Sequence, residues 1–353
     1  MADEPELISL TDAERPLFAG VDVGGTNIKI GLVDNRGRSL AYTSVSTDEE
    51  RGPNDAAKRI ADGLSELLAQ HGIDQKEFAR VGLATPGPMD IPAGMLLHPG
   101  NLPHWHNTPI RDLVSQACGL PVTYANDANS AAYGEFWRGA GQQYHSMVLF
   151  TLGTGIGGGI IVGDMLIEGT HSCGGELGHL IIDCRDDAPR NSLGIRGTVE
   201  GFCGSYAVLD RTQQSLDSGR ASSLRRRIDA GEELTPLMLA EEAEAGDKLS
   251  WEIIRETARY LAIGIVTAVH AIDPDSVVLG GGMTFGGAGH PLGERFLNVI
   301  REEAKSRMLA AIADKVSIDF AQLESDAGYI GAAGLARLEH LRNKSDESRM
   351  NAD

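Results

Sequence analysis

Runs of β-branched and apolar residues alternate with glycine-rich turns in the first third of the chain. Two such runs, residues 18–23 and 28–33, flank Gly24-Gly25-Thr26-Asn27, which predicts a strand, a turn and a second strand. Apolar residues then recur at helical spacing through residues 56–70 and predict a helix that stops at His71-Gly72. Two more strands are predicted at residues 81–84 and 121–125, the second leading into Asn126-Asp127 and an alanine-rich helix.

The same order of elements returns about 130 residues later. Apolar runs at residues 147–152 and 159–162 flank a second glycine-rich turn that begins at Gly153. A helix is predicted at residues 251–272, followed by a strand at residues 276–279 that runs into Gly280-Gly281-Gly282. Strands that alternate with helices predict an α/β fold, and the repeated order predicts two related halves.

Length and charge narrow the classes of protein. A chain of 353 residues is long enough for two domains. With 31 Lys and Arg against 50 Asp and Glu, the net charge of −19 argues against partners that are nucleic acid or anionic membrane, since both attract basic surfaces. The 44 glycines follow no three-residue period, so they indicate turns and ligand loops and not a fibre.

Cysteine usage and the N-terminal segment predict a cytoplasmic protein. Four cysteines do not make a disulfide scaffold, which favours a reducing compartment. The acidic start, MADEPELISL, has neither the basic nor the apolar part of a signal peptide. The apolar stretch at residues 260–272 is too short to span a bilayer.

Both glycine turns lie between two strands, whereas dinucleotide and P-loop motifs place a helix directly after their glycines. Glycines in a hairpin let successive N–H groups converge on an anion, and threonine hydroxyls and Lys29 add donors. For a single hairpin, the alternative to phosphate binding is a purely structural role, because glycine also adopts the positive φ that tight turns require. Two hairpins at corresponding places of a duplicated chain favour phosphate binding.

Six motifs carry a family resemblance that spans residues 18 to about 337: VDVGGTNIKIGLVD, ATPGPMD, ANDANSAAYGE, TLGTGIGGGIIV, GGELGH and VVLGGG. In this order they resemble the ROK (repressor, ORF, kinase) family of the sugar-kinase/actin/Hsp70 superfamily. The resemblance implies two ribonuclease-H-like domains with a cleft between them that holds ATP and a sugar. The expected smaller domain comprises residues 18–127 and a C-terminal helix at about 329–343, the larger one residues 128–328, and the tails 1–17 and 344–353 are expected to be flexible.

The resemblance also implies roles for individual residues. Asp127 is the expected general base, although an Asp at that place can also cap a helix. Sugar contacts are implied for Gly87, Asn101, Asn126, Asp127, Glu176, His179 and Glu200. For His179 the alternative is a histidine satisfied in the core, and for Glu200 an acid favoured at a helix start. ATP contacts are implied for Gly24, Gly25, Thr26, Asn27, Lys29, Gly153, Thr154, Gly155, Gly157, Gly281 and Gly282, and Asp22 is expected to face Mg²⁺ or the phosphates.

The chain departs from the family at one place. Many ROK proteins carry three cysteines after the Gly-His pair that bind structural zinc together with the histidine. Asn191, Leu193 and Thr198 occupy those positions here, and none of them replaces a thiolate well. We therefore expect no zinc, with Cys184 and Cys203 as the one alternative source of ligands.

The expected activity is ATP-dependent phosphorylation of a hexose, with glucose converted to glucose 6-phosphate. An N-acylmannosamine kinase or another hexose kinase is the alternative within enzymes. A transcriptional repressor is disfavoured by the −19 charge and by the roughly 20 residues before the first hairpin, too few for a helix-turn-helix module. A non-catalytic sugar binder would need neither Asp127 nor two phosphate hairpins. Relatives of this family commonly form homodimers, which is the expected assembly, and the choice between ATP and polyphosphate stays open.

Overall fold

The computed structural model describes residues 7–350 of the chain, and these divide into two compact units. The first unit runs to Gln143 and also contains Leu166–Gly174 and the chain from Gln322 onward. The second unit contains Tyr144–Met165 and Gly175–Ala321. The predicted boundary at residues 127 and 128 differs from this division, because the helix that starts at Asp127 belongs with the first unit.

The first unit is built on a five-stranded mixed sheet. In chain order its elements are β1 (Leu17–Val23), β2 (Asn27–Val33), β3 (Ser39–Ser46), α1 (Pro53–His71), β4 (Phe78–Thr85), β5 (Met89–Asp90), β6 (Met95–Leu96), α2 (Ile110–Cys118), β7 (Val122–Asn126) and α3 (Asp127–Arg138). The main sheet has the order β3-β2-β1-β4-β7, and β5 pairs with β6 separately. Strands β1, β4 and β7 are parallel, and β2 is antiparallel to both β1 and β3.

The second unit repeats this sheet order. Its elements are β8 (Met147–Leu152), β9 (Ile156–Val162), β10 (Met165–Leu166), α4 (Val199–Cys203), α5 (Ser205–Asp217), α6 (Leu224–Asp229), α7 (Pro236–Glu244), α8 (Lys248–Ile272), β11 (Ser276–Gly280), α9 (Pro291–Arg307) and β12 (Ser317–Phe320). Helix α10 (Ala327–Met350) then returns to the first unit. The order β10-β9-β8-β11-β12, with β8, β11 and β12 parallel and β9 antiparallel to β8, matches the first sheet strand for strand.

Helix ends follow local signals that extend the predicted boundaries by a few residues. Helix α1 begins at Pro53 and ends before Gly72, which has φ 64° and closes the helix in the left-handed region. Helix α8 begins three residues before the predicted start because the Asp247 side chain accepts a hydrogen bond from the Ser250 N–H. The apolar faces of both helices are buried in the hydrophobic cores of their units.

Helix α10 packs directly on the first sheet, and glycines make the close approach possible. A Cβ at Gly20 of β1 would lie 1.8 Å from the Tyr329 carbonyl oxygen, and one at Gly82 of β4 would lie 1.8 Å from that of Ala332. Helix α3 also packs on α10 through small residues, since a Cβ at Gly331 would meet the Ser130 carbonyl at 1.7 Å. This contact explains why α3 joins the first unit.

The predicted flexible tails differ from the structure where they are described. Residues 7–16 are held to the first unit, for example by hydrogen bonds from the Ile8 N–H to the Ser39 carbonyl and from the Asn35 N–H to the Glu14 carbonyl. At the other end α10 continues to Met350, seven residues beyond the predicted helix end at 343. The remaining tail positions, 1–6 and 351–353, lie outside the described residues. None of the helices in residues 7–350 has the length and apolar character needed to cross a membrane.

Candidate active site

The first glycine hairpin connects β1 to β2 through residues 24–26, and these residues and Asn27, the first residue of β2, are all exposed. The fully buried Thr47 stabilises the hairpin through two hydrogen bonds. Its hydroxyl donates to the Gly24 carbonyl at 2.7 Å, and its N–H donates to the Thr26 carbonyl at 2.8 Å. A trans peptide places its C=O and N–H on opposite sides. The N–H of Gly25 therefore points away from Thr47, the orientation that an anion-binding turn requires.

The second glycine hairpin is shorter than predicted. Strand β9 begins at Ile156, so the turn is only residues 153–155, and Gly157 lies in the strand opposite Thr151. The Gly153 carbonyl accepts a hydrogen bond from the Ser205 N–H at 3.0 Å, which directs the N–H of the exposed Thr154 to the opposite side. Ser205 thus holds this hairpin as Thr47 holds the first.

Positive φ does not explain the glycines of the two hairpins, because none of Gly24, Gly25, Gly153 and Gly155 has a positive φ. Gly155 is required for close approach instead: a Cβ there would lie 2.4 Å from a carboxylate oxygen of Glu200. Gly281, after β11, needs glycine on both counts, since its φ is 90° and a Cβ would lie 2.3 Å from the Leu152 carbonyl oxygen. This contact brings Gly281 beside the start of the second hairpin, while the neighbouring Gly282 has open space around its Cα.

Asp22 and Lys29 are cross-strand partners in β1 and β2, so their side chains share a face of the sheet. That face is covered by α10, and the Asp22 carboxylate lies against Gly328. Burial raises the pKa of Asp22 to about 6, with Lys29 opposing the shift, and no hydrogen bond from residues 7–350 stabilises the charged form. Such a carboxylate can accept the water shell of a cation, so Asp22 fits the expected place of Mg²⁺.

The Lys29 ammonium is directed at the segment before α10. It donates a hydrogen bond to the Ser325 carbonyl at 2.7 Å and lies 3.5 Å from the Asp326 carboxylate. Burial raises the pKa of Asp326, and Lys29 partly offsets that effect. The structure therefore places Lys29 on the α10 face of the sheet, away from the turn itself.

The carboxyl ends of β1, β4 and β7 lie at one edge of the first sheet, where ligands bind in open α/β sheets. Asn126 ends β7 and caps α3, because its side-chain oxygen accepts the Asn129 N–H at 3.1 Å. Asp127 follows as the first residue of α3, partly exposed, with its carboxylate accepting the Ala128 N–H at 2.8 Å. The capping role considered for Asp127 thus belongs to Asn126.

Two of the other predicted sugar contacts lie near these groups. A Cβ at Gly87 would lie 3.7 Å from the side-chain nitrogen of Asn126, so the loop after β4 passes beside this residue. Asn101 is exposed and lies against the first hairpin, with its Cβ 3.7 Å from the position a Gly25 Cβ would take.

In the second unit the structure brings Glu176 and His179 together. Glu176 precedes a single helical turn, Leu177–His179, of which His179 is the last residue, and the His179 Nε2 atom lies 3.7 Å from a Glu176 carboxylate oxygen. Glu176 is half-exposed and His179 is partly buried. The turn is pressed onto the start of β9, where a Cβ at Gly178 would meet the Ile156 carbonyl at 2.0 Å. This packing holds both side chains next to the second hairpin.

Glu200 is buried and has three hydrogen-bond donors. One carboxylate oxygen accepts the Ser192 hydroxyl at 2.9 Å and the Tyr206 hydroxyl at 3.2 Å, and the other accepts the Ile156 N–H at 3.1 Å. Thr198, at one of the former cysteine positions, caps α4, which carries this acid. Glu200 therefore ties the loop before α4 to the first residue of β9.

The residues present do not fit a zinc ion. Within residues 7–350 no group of three or more His, Cys, Asp or Glu side chains could hold a metal. The Cys203 thiol is buried against α8, where it donates to the Thr257 carbonyl, and burial raises its pKa to about 12, which opposes the thiolate that zinc needs. Cys184 is exposed.

Sequence reasoning missed the residues that hold the predicted ones in place. Thr47 and Ser205 brace the hairpins, and Ser192 and Tyr206 bind Glu200. None of them carries a local signal, since each is an ordinary polar residue that reaches its partner through the tertiary fold.

Comparison with known proteins agrees with this architecture. The ROK family model matches residues 18–339, and the chain belongs to the ROK family. It is 30% identical over 332 residues to the glucokinase of Halalkalibacterium halodurans, a match that covers 94% of this chain and 98% of the relative.

Two crystal structures are similar in fold. The ROK hexokinase from Thermus thermophilus is 31% identical, with a TM-score of 0.77 over 92% of this chain and 98% of that one. The ROK glucokinase from Streptomyces griseus, in complex with glucose and AMPPNP, is 31% identical, with a TM-score of 0.71 over 91% of this chain and 99% of that one.

Proposed function

We propose that this protein is an ATP-dependent hexose kinase that converts glucose to glucose 6-phosphate. The observation that carries the proposal is the place of Asp127, an acid at the first turn of α3 on the same sheet edge as the first glycine hairpin. Strand spacing puts the ends of β1 and β7 about 10 Å apart. At that spacing, Asp127 can contact the sugar hydroxyl that receives a phosphate held at the hairpin.

Asp127 acts as the general base in this proposal. It accepts the proton of the attacking hydroxyl and orients that hydroxyl toward the phosphate. The side-chain oxygen of Asn126 caps α3, so its side-chain NH₂ is the group that donates to a sugar hydroxyl in this proposal. Gly87 and Asn101 are proposed as the neighbouring sugar contacts of this unit.

ATP binding is assigned to the exposed hairpins, through the N–H groups directed away from Thr47 and Ser205. The proposed donors are the N–H groups of Gly25 and Thr154, and the other residues assigned to the nucleotide are Gly24, Thr26, Asn27, Gly153, Gly155, Gly281 and Gly282. Asp22 would hold Mg²⁺, which supplies charge neutralisation for the phosphates when bound. Lys29 contributes to this region through its pairing with Asp326.

In the second unit, sugar binding is assigned to Glu176, His179 and Glu200. A carboxylate offers about four lone-pair sites, and three of those on Glu200 are already used. We therefore assign the larger share of sugar binding to Glu176 and His179. The matching strand order of the two sheets supports the proposal that both are ribonuclease-H-like domains.

The test is sugar-dependent release of ADP from ATP by the purified protein. The panel contains glucose, mannose, fructose, allose and N-acetylmannosamine, with a sugar-free control and a parallel series with polyphosphate as donor. We expect the highest rate with glucose and ATP. No ADP release above the sugar-free control with any member of the panel would refute the kinase proposal, and a rate highest with N-acetylmannosamine would replace the substrate.

A further inference from the structure

The loop at residues 189–198 is organised around Asn191, a buried amide at one of the positions where zinc-binding relatives have cysteine. The side-chain oxygen of Asn191 accepts two backbone hydrogen bonds, from the Leu193 N–H at 3.1 Å and the Ile195 N–H at 2.8 Å. Its own N–H donates to the Ile195 carbonyl, and its carbonyl accepts the Gly194 N–H. Asn191 thereby closes, by hydrogen bonds, the loop that zinc closes in the zinc-binding relatives.

The two backbone donors fix which way the amide faces. Only the oxygen of a side-chain amide accepts hydrogen bonds, so the oxygen must face Leu193 and Ile195. The NH₂ group is then the atom that lies 2.9 Å from Nδ1 of His179.

This contact defines the tautomer of the neutral His179 ring. Because the amide donates, Nδ1 must be the bare, accepting nitrogen, and a neutral imidazole then carries its proton on Nε2. Nε2 is the ring atom that faces the Glu176 carboxylate, at 3.7 Å. His179 therefore presents a hydrogen-bond donor at Nε2.

We propose that Asn191 is a positioning residue that holds His179 in the Nε2–H tautomer and fixes its ring orientation. A metal bound at Nδ1 would impose the same tautomer, so a hydrogen bond replaces the missing zinc in this chain. The consequence for the sugar rests on the proposed function: a sugar hydroxyl bound at His179 and Glu176 meets one donor from His179 and acceptors from Glu176.

Asn191→Asp is the discriminating variant. Its carboxylate keeps an oxygen for the Leu193 and Ile195 N–H groups but replaces the donor to His179 with an acceptor. His179 should then carry its proton on Nδ1, which leaves Nε2 bare. Leu193→Ala is the matched control, because Leu193 occupies a second former cysteine position in the same loop and its side chain is 70% exposed.

The readout is the pair of side-chain ¹⁵N shifts of His179 at about pH 8.5, well above the ordinary histidine pKa of about 6.5, assigned with His179→Gln. We expect the Nε2–H pattern in the wild type and in Leu193→Ala, and the Nδ1–H pattern in Asn191→Asp. The KM for glucose should rise about tenfold or more in Asn191→Asp, with kcat within about threefold, because a contact that takes no part in the proton or phosphate transfer contributes to binding.

An Nδ1–H pattern in the wild type would overturn the proposal, and so would an unchanged tautomer in Asn191→Asp. The wild-type spectrum alone decides the tautomer even if the variant does not fold. Failure of the proposed function is separate: the wild type would then release no ADP with any sugar, while the ¹⁵N shifts would still decide the role of Asn191.

Discussion

Two carboxylates lie beside the two glycine hairpins, and their surroundings are opposite. Asp22, at the end of β1, receives no hydrogen bond from residues 7–350, and its pKa is raised to about 6. Glu200, next to Gly155, receives three hydrogen bonds from two hydroxyls and one backbone N–H. The first acid keeps its acceptor sites open, whereas the second uses most of them inside the protein.

The two acids are not counterparts in the repeated fold, since Asp22 lies in β1 and Glu200 in α4, and they serve different purposes. Leaving a buried carboxylate without donors lowers stability, and such uncompensated groups are concentrated at functional sites. Satisfying one stabilises the segments it joins, here the loop before α4 and the start of β9. We therefore assign a ligand-binding role to Asp22 and mainly a bracing role to Glu200.

The largest effect is expected at a third acid, Asp127, which shares a sheet edge with Asp22. Asp127→Asn should lower kcat by about 10²- to 10⁴-fold, because asparagine keeps the size of the side chain but cannot accept the proton. Glucose affinity, measured by calorimetry, should stay within a few-fold. The matched control is Asp62→Asn, on the exposed face of α1. A variant with near wild-type kcat would show that Asp127 is not the base.

Asp22→Asn should stabilise the protein while weakening its use of magnesium. Folding raises this carboxyl's pKa from 3.8 to about 6, so the fold disfavours the charged form and wild-type stability falls as pH rises through this interval. Without nucleotide and metal, the variant should gain at most about 3 kcal/mol above pH 7 and almost nothing near pH 4. Urea unfolding across this pH range provides the measurement. Equal stabilities at both pH values would remove the contrast with Glu200.

Glu200→Gln should act in the opposite direction and lower the free energy of unfolding by about 1–3 kcal/mol. The amide NH₂ of glutamine would face a donor in place of a carboxylate oxygen, so at least one buried hydrogen bond is lost. Tyr206→Phe removes only one of the three donors and should cost about 0.5–1.5 kcal/mol. An unchanged urea midpoint in both variants would mean that Glu200 does not brace the loop.

The smallest effect, none at all, is expected from a zinc-selective chelator when magnesium is supplied. Structural zinc contributes directly to folding, so its removal would lower the melting temperature. Here Asn191 closes the loop by hydrogen bonds alone. Stoichiometric zinc in the freshly purified protein would contradict this, and would point to Cys184 and Cys203 with His179.

Local signals were sufficient for much of the fold. The strand–glycine–strand pattern predicted both hairpins, and apolar spacing with Gly72 as a stop predicted α1. The first residues of β9 were missed because three successive glycines resemble a turn, although their pairing with β8 makes them part of a strand. The place of α3 depends on its packing against α10, about 200 residues away in sequence, which no local pattern contains.

The candidate site divides in the same way. The types of residue at Asp22, Asp127 and Glu176 indicated their chemistry, whereas the direction of each side chain depends on distant partners. Lys29 pairs with Asp326 because both meet on the α10 face of the sheet. The sequence shows Asn191 only as a residue in place of a family cysteine. Its role was not predicted, because its contact with His179 exists only once the loop is folded.

The proposed phosphorylation of glucose is tested most directly by kcat/KM for glucose, 1-deoxyglucose and N-acetylmannosamine, measured side by side with ATP and magnesium. Under the proposed function, Glu176 and His179 bind sugar hydroxyls at C1 and C2 through charged and polar groups. Glucose should therefore exceed both 1-deoxyglucose and N-acetylmannosamine by at least about tenfold, because each analogue leaves a polar group unpaired. A higher kcat/KM for N-acetylmannosamine than for glucose would contradict the account.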